Sequence, residues 1–170
     1  MVPVALFDLV IEYQVAVLQL TRTRVYGPAF ALIRAQFEAF VRGVWLRYAA
    51  TPLGLKKFVV SDRIFKLTGT LISEIESREN LLKNVFSGLH ANSWKSMCSY
   101  THGGMLQVTR RFRNNSIEPN YELLEIFEVV KSSGFLALLA LNQIAQIADA
   151  EEVTANVGTL LDGSLKELPL

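Results

Sequence analysis

A single cysteine, Cys98, stands among 170 residues, so the chain can form no internal disulfide and no multi-cysteine zinc site. Histidine is nearly as scarce. His90 and His102 are the only two, and no ligand spacing links either to a carboxylate, so no metal site is expected. An excess of one charge is also missing. Lys+Arg number 17 against 16 Asp+Glu, and the formal net charge of +1 speaks against a globally basic nucleic-acid binder or an acidic tail. Charged residues make up only 19%, hydrophobic residues 51%, and the mean hydropathy is +0.28, which excludes disorder for the bulk of the chain. There is no repeat at solenoid period, no low-complexity stretch and no alternating run bounded by hairpin turns. With no strand predicted, no glycine-rich phosphate loop can follow one, and no cofactor motif is visible.

The first residues, MVPVALFDLVIEYQ, lack a positively charged leader, and Asp8 and Glu12 interrupt the apolar run, so they do not read as a secretory signal. The best stretch for a membrane span lies between Lys131 and Asp149. It contains Ser132, Ser133, Asn142, Gln143 and Gln146, and reads better as a buried core helix. The expectation is a cytoplasmic protein without a membrane partner. High apolar content in so short a chain also predicts burial against a second copy, hence a homodimer.

What is present is helical periodicity. A first helix spans about 4–22, with Leu6, Leu9, Val10, Tyr13, Val17 and Leu20 at three- and four-residue steps. Gly27-Pro28 punctuates, and a second helix follows over about 28–50, closed by Thr51-Pro52 and Gly54. Its apolar arc of Phe30, Ile33, Phe37, Val41, Val44, Trp45 and Tyr48 is wide enough to make it the central helix. Ser61 and Asp62 look like the start of a third, carried by Ile64, Leu67, Thr68, Leu71, Ile72 and Ile75. Residues 77–80 either break it or form an exposed turn before Leu81, Leu82, Val85, Phe86 and Leu89. Asn92 or Ser93 then caps a helix over about 94–113, with Trp94, Met97, Cys98, Thr101, Met105, Val108 and Phe112 as its stripe. Asn114-Asn115-Ser116 is a loop. Pro119 opens the last long helix, which ends near Ala148, and residues 151–170 form a loosely packed C-terminal segment. The fold class is all-α, an up-and-down bundle of five or six helices in a single domain over 1–150.

One polar constellation interrupts this apolar background. Arg34, Glu38 and Arg42 stand at steps of four on the second helix, with Arg34 inside the apolar arc. Glu38 can bridge both guanidinium groups and compensate the burial of Arg34. Two roles fit: an ion-pair ladder at the edge of the core, or a polar centre facing a cleft or a partner. Ser99-Tyr100-Thr101-His102-Gly103-Gly104 is its counterpart. Two glycines inside a helical pattern imply close approach of another helix or a kink. His102, at the rim of its stripe, could donate to Glu38 if the two helices pack, as a structural or as a functional residue. Arg34, Glu38, Ser99 and His102 are therefore the candidate ligand-binding set, and His102, Arg34, Glu38 and Arg42 the candidate catalytic set. Arg110, Arg111 and Arg113 form a short basic run, either a solvated helix end or a phosphate-contacting patch for RNA or a nucleotide. His90 reads as a cation near a helix C-terminus, and Cys98 as a small buried hydrophobe.

The string from Arg34 through Glu38 and Arg42-Gly43 to Trp45-Leu46, followed by Ser99-Tyr-Thr-His102-Gly-Gly, resembles a group of uncharacterised bacterial all-helical proteins. They share an R-x-x-x-E-x-x-x-R-G-x-W-L helix and an S-x-x-H-G-G helix, and the likeness covers roughly residues 28–113. That group is remotely similar to the HEPN domains. The resemblance implies a dimerising bundle of four or five helices. It is either a ribonuclease of toxin–antitoxin or phage-defence systems or an inactive binding module. Active HEPN ribonucleases carry R-x(4–6)-H on one helix. The matching positions before His102 are Met97, Ser96 and Lys95, and those before His90 are Val85, Asn84 and Lys83; none is arginine. The reading is thus a homodimeric binding or interaction module with an Arg/Glu/His centre. A divergent HEPN-type ribonuclease, with RNA as its substrate, is the alternative.

Overall fold

The computed structural model describes residues 1–60, 66–79 and 84–166. Among them the chain runs α1 (Val2–Arg22), α2 (Tyr26–Tyr48), α3 (Pro52–Val60), α4 (Thr68–Arg78), α5 (Val85–Thr101) and α6 (Met105–Thr109). A two-residue-per-strand hairpin follows, β1 (Phe112–Arg113) and β2 (Ser116–Ile117), then α7 (Leu123–Ile147) and α8 (Glu151–Lys166). Among the described residues the regular structure is all helical apart from that hairpin.

Helix α2 is the centre: it packs against α1, α4, α5 and α7. Its wide apolar arc explains this, since Phe30, Ile33, Phe37, Val41, Val44 and Trp45 are all buried and cannot face a single neighbour. Two residues set how closely α1 and α7 approach it. Gly43 lies under the Phe7 ring, where an added Cβ would sit 2.6 Å from a ring carbon. Gln36, fully buried, donates from Nε2 to the Val10 carbonyl at 3.0 Å and the Ser133 carbonyl at 3.1 Å, tying α1, α2 and α7 together.

Several boundaries differ from those expected, each for a local reason. Pro52 does end α2, but it also opens α3, and the Thr51 hydroxyl accepts from the Gly54 N–H at 3.1 Å across that first turn. The expected caps at Ser61 and Asp62 lie outside the described residues, as do Ile64, Leu81 and Leu82. Ser77 and Arg78 are the last residues of α4 and Glu79 is extended, so the helix ends there; Asn80 lies outside the described residues. Asn92 and Ser93 do not cap anything; they lie inside α5, which starts after Asn84.

The Gly103-Gly104 pair terminates α5 instead of interrupting a longer helix. Gly103 is left-handed (φ +66°) and the Gly104 N–H reaches back to the Ser99 carbonyl at 2.7 Å, so the glycines satisfy end carbonyls that a straight continuation would not need. The chain then restarts as α6. The supposed Asn114-Asn115 loop is a hairpin turn, with Asn114 at φ 53° and Phe112 paired with Ile117. Pro119 lies in the connection; α7 starts only at Leu123, where the Glu125 carboxylate accepts from the Glu122 N–H at 3.0 Å.

Residues 151–166, read from sequence as part of a loose tail, form α8, which packs on α7 and buries Val157 and Leu161. Among the described residues the helix long and apolar enough to cross a membrane is α1, not the 131–149 stretch. In this fold α1 buries Phe7, Val10 and Val17 and packs against α2 and α7.

Candidate functional site

The site is built on the crossing of α2 with α5. Rings lock that crossing: Phe30 packs on Tyr100 with centroids 4.9 Å apart, and Tyr121 packs on Phe30 at the same distance. The Thr101 hydroxyl adds a hydrogen bond to the Ala31 carbonyl at 3.2 Å. With the helices so fixed, the end of α5 lies beside the second turn of α2.

The step of four along α2 produces the ladder. Arg34 Nε donates to Glu38 Oε1 at 2.9 Å and Arg42 Nη2 donates to Glu38 Oε2 at 2.7 Å. The three side chains keep only 21%, 15% and 19% of their surface in solvent, so each charge is substantially desolvated. Both oxygens of Glu38 are used within the helix, and His102 meets Arg34 rather than Glu38: His102 Nε2 contacts Arg34 Nη1 directly. A guanidinium has no acceptor, so in this contact Arg34 is the donor and the ring nitrogen the acceptor. Arg34 also lies over the Trp94 ring, its Cζ 4.7 Å from the centroid. One guanidinium thus touches Glu38, His102 and Trp94.

A cleft of about 530 Å³ opens beside the ladder, lined by Arg34, Glu38 and Arg42 from α2, Lys66 to Thr70 at the start of α4, and His90 and Trp94 from α5. His90 stacks on Trp94, with centroids 4.6 Å apart and the planes 27° from parallel. Lys66 holds Glu74 through both carboxylate oxygens at 2.5 and 2.6 Å, and Trp45 Nε1 donates to the same carboxylate at 2.7 Å. The Lys66 contact foremost, aided by the indole donor, holds the Glu74 carboxyl below its ordinary value against the opposing effect of burial.

The remaining sequence candidates separate from this centre. Ser99 sits at the α5–α6 junction, where its hydroxyl accepts from the Leu106 N–H at 3.1 Å, and neither Ser99 nor His102 lines the cleft. Arg110 is paired with Glu125, which raises the guanidinium pKa further above its ordinary value. Arg111 and Arg113 lie exposed at the hairpin, so the three arginines of the run do not share one environment. His90 is not at a helix end: it lies inside α5, one turn before Trp94. Lys66, Thr68, Thr70, His90 and Trp94 were not singled out as a site from sequence. The four-residue spacing of His90 and Trp94 was the one legible signal, since it puts both rings on the same side of a helix. Among the described residues no cluster of His, Cys, Asp and Glu could hold a metal ion.

The chain belongs to a family of unknown function (DUF6988), whose model matches residues 7–164, and that span contains the ladder, the cleft and His102. No curated protein and no solved structure matches the chain.

Proposed function

We propose that the chain is a cytoplasmic binding module that works as a homodimer and holds a ligand in the cleft beside Arg34, Glu38 and Arg42. The observation that carries this reading is the cleft itself. Its volume is in the range of small-molecule sites, and charged groups on α2 meet aromatic groups on α5 at its wall. Such a wall offers orientation through the guanidinium groups and contact area through the rings. Dimerisation is supported by the exposed apolar side chains, among them Phe112, Ile117, Leu123, Leu124 and Phe127. Tryptophan fluorescence tests the ligand site: a panel of small molecules should include compounds that change the emission of the native chain and not that of Trp94→Phe. Scattering mass of a dilute sample tests the dimer, and a strict monomer would remove that part.

The contact between Arg34 and His102 favours a second reading, a divergent HEPN-type ribonuclease of a toxin–antitoxin or phage-defence system. Here arginine and histidine would come from two helices rather than from one motif. His102 would move the proton and Arg34 or Arg42 would stabilise the phosphorane charge. Incubation with total RNA decides this. Cleavage that His102→Ala abolishes supports it, and intact RNA with both proteins refutes it.

A further inference from the structure

The groups around the cleft are unequal in sign. Arg34, Arg42 and Lys66 line it, and Glu38 is the lone carboxylate among the lining residues. Glu38 has spent both oxygens on the two arginines, and Glu74 meets Lys66 from outside the lining set. One carboxylate cannot neutralise two guanidinium groups, so the α2 side of the cleft carries net positive charge. The opposite wall adds to it. Leu67, Thr68, Gly69 and Thr70 are the N-cap and first turn of α4, an 11-residue helix, and Leu67 has no side-chain acceptor for the N–H groups behind it. Thr70 and Leu71 bond to the Leu67 carbonyl, whereas among the described residues the N–H groups of Thr68 and Gly69 meet no acceptor. A helix of this length presents a partial positive charge there. Guanidinium groups, a lysine and backbone donors thus converge on one space from two elements, with the Trp94 and His90 rings on a third.

We infer that the cleft binds a small phosphorylated molecule, its phosphate held between Arg42, Lys66 and the start of α4, its organic body against Trp94 and His90. This rests on the cleft being the ligand site and names the ligand class. A phosphate fits the donor set better than a carboxylate. It carries three acceptor oxygens on one centre, enough to be shared between a guanidinium, an ammonium and backbone N–H groups on different walls. The volume of about 530 Å³ leaves room for a body well beyond the phosphate.

The test uses the full chain and calorimetric titration with inorganic phosphate, pyrophosphate, AMP and adenosine, alongside a panel of uncharged fragments read by tryptophan fluorescence. AMP should bind more tightly than phosphate, and adenosine should bind far more weakly. Arg42→Gln should raise the Kd for AMP about tenfold or more, as expected for one charge-assisted hydrogen bond. Because Arg42 also belongs to the ladder, Thr70→Glu provides the second variant. Thr70 is exposed, and an acid in the first turn favours the helix while opposing a bound anion. It should keep the native melting temperature and lose AMP to the same extent. Absence of binding by all three phosphates, or full affinity in Thr70→Glu, overturns the inference. If uncharged fragments then still report through Trp94, the cleft remains a ligand site and only the phosphate assignment falls. If they do not, both fall. Much tighter binding of a short single-stranded RNA than of AMP would also overturn it, in favour of the ribonuclease reading.

Discussion

Replacing Glu38 tests the electrostatic centre most directly. The carboxylate pairs with Arg34 at 2.9 Å and Arg42 at 2.7 Å, and all three side chains are about four-fifths buried. Two limits bracket the effect. A fully exposed pair at this helical spacing is worth roughly 0.3–0.5 kcal/mol, whereas removing one partner of a fully buried pair costs roughly 3–5 kcal/mol because a charge is stranded. The ladder lies between them. Its guanidinium groups keep enough solvent contact to recover part of their hydration, but they lose their shared counterion together. Glu38→Gln is therefore expected to lower unfolding stability by about 2 kcal/mol. Urea denaturation measures this from the shift in midpoint at unchanged slope. The cycle with Arg42→Met isolates the pair: once Arg42 is gone, the loss on Glu38→Gln should fall by about 0.5 kcal/mol or more, because one of its two partners is absent. High salt should weaken the coupling only in part, since the pairs are largely shielded from bulk ions. A loss below about 0.5 kcal/mol, with no coupling, would refute the reasoning and reduce the ladder to a surface decoration.

Three further outcomes are expected. Gly43→Ala puts a methyl group 2.6 Å from the Phe7 ring; α1 must shift on α2, and denaturant titration should show a loss of about 1–3 kcal/mol. Gln36→Leu removes the two hydrogen bonds joining α1 and α7 to α2, with a loss of about 1–3 kcal/mol. Hydrogen exchange should show freer opening of α1, and an unchanged exchange pattern would argue against the tie. Glu74 has a folded-state pKa below its ordinary value because of Lys66 and Trp45, so its stabilisation is complete above the ordinary carboxylate range. It disappears as pH falls through the lowered pKa. Melting curves of the native chain and Glu74→Gln should therefore differ most near neutral pH, begin to approach each other as pH falls through the ordinary carboxylate range, and meet only below the lowered pKa of Glu74. A constant difference across that range would disprove the assignment.

Much of the architecture was legible in the chain by itself. The apolar arc of α2 is too wide for one neighbour, and the structure surrounds that helix on four sides. The ladder was legible too, because a spacing of four on a helix brings Arg34, Glu38 and Arg42 into reach whatever else the fold does. Boundaries were less so where one residue serves two neighbours: Pro52 ends one helix and begins the next, and Gly103-Gly104 suits a kink and a helix end equally well in sequence. The partner of His102 was out of reach, since Arg34 and Glu38 are one turn apart and only the α2–α5 crossing selects between them. The cleft was decided by tertiary structure alone. Lys66 and Thr68 look unremarkable in their own segments, and the four-residue step of His90 and Trp94 says only that two rings share one side of a helix; they become a site because α4 and α5 both pack on α2. Local periodicity encodes which face of each helix is apolar; which polar residues meet across the gaps depends on crossings between helices far apart in sequence, and no spacing along the chain records those.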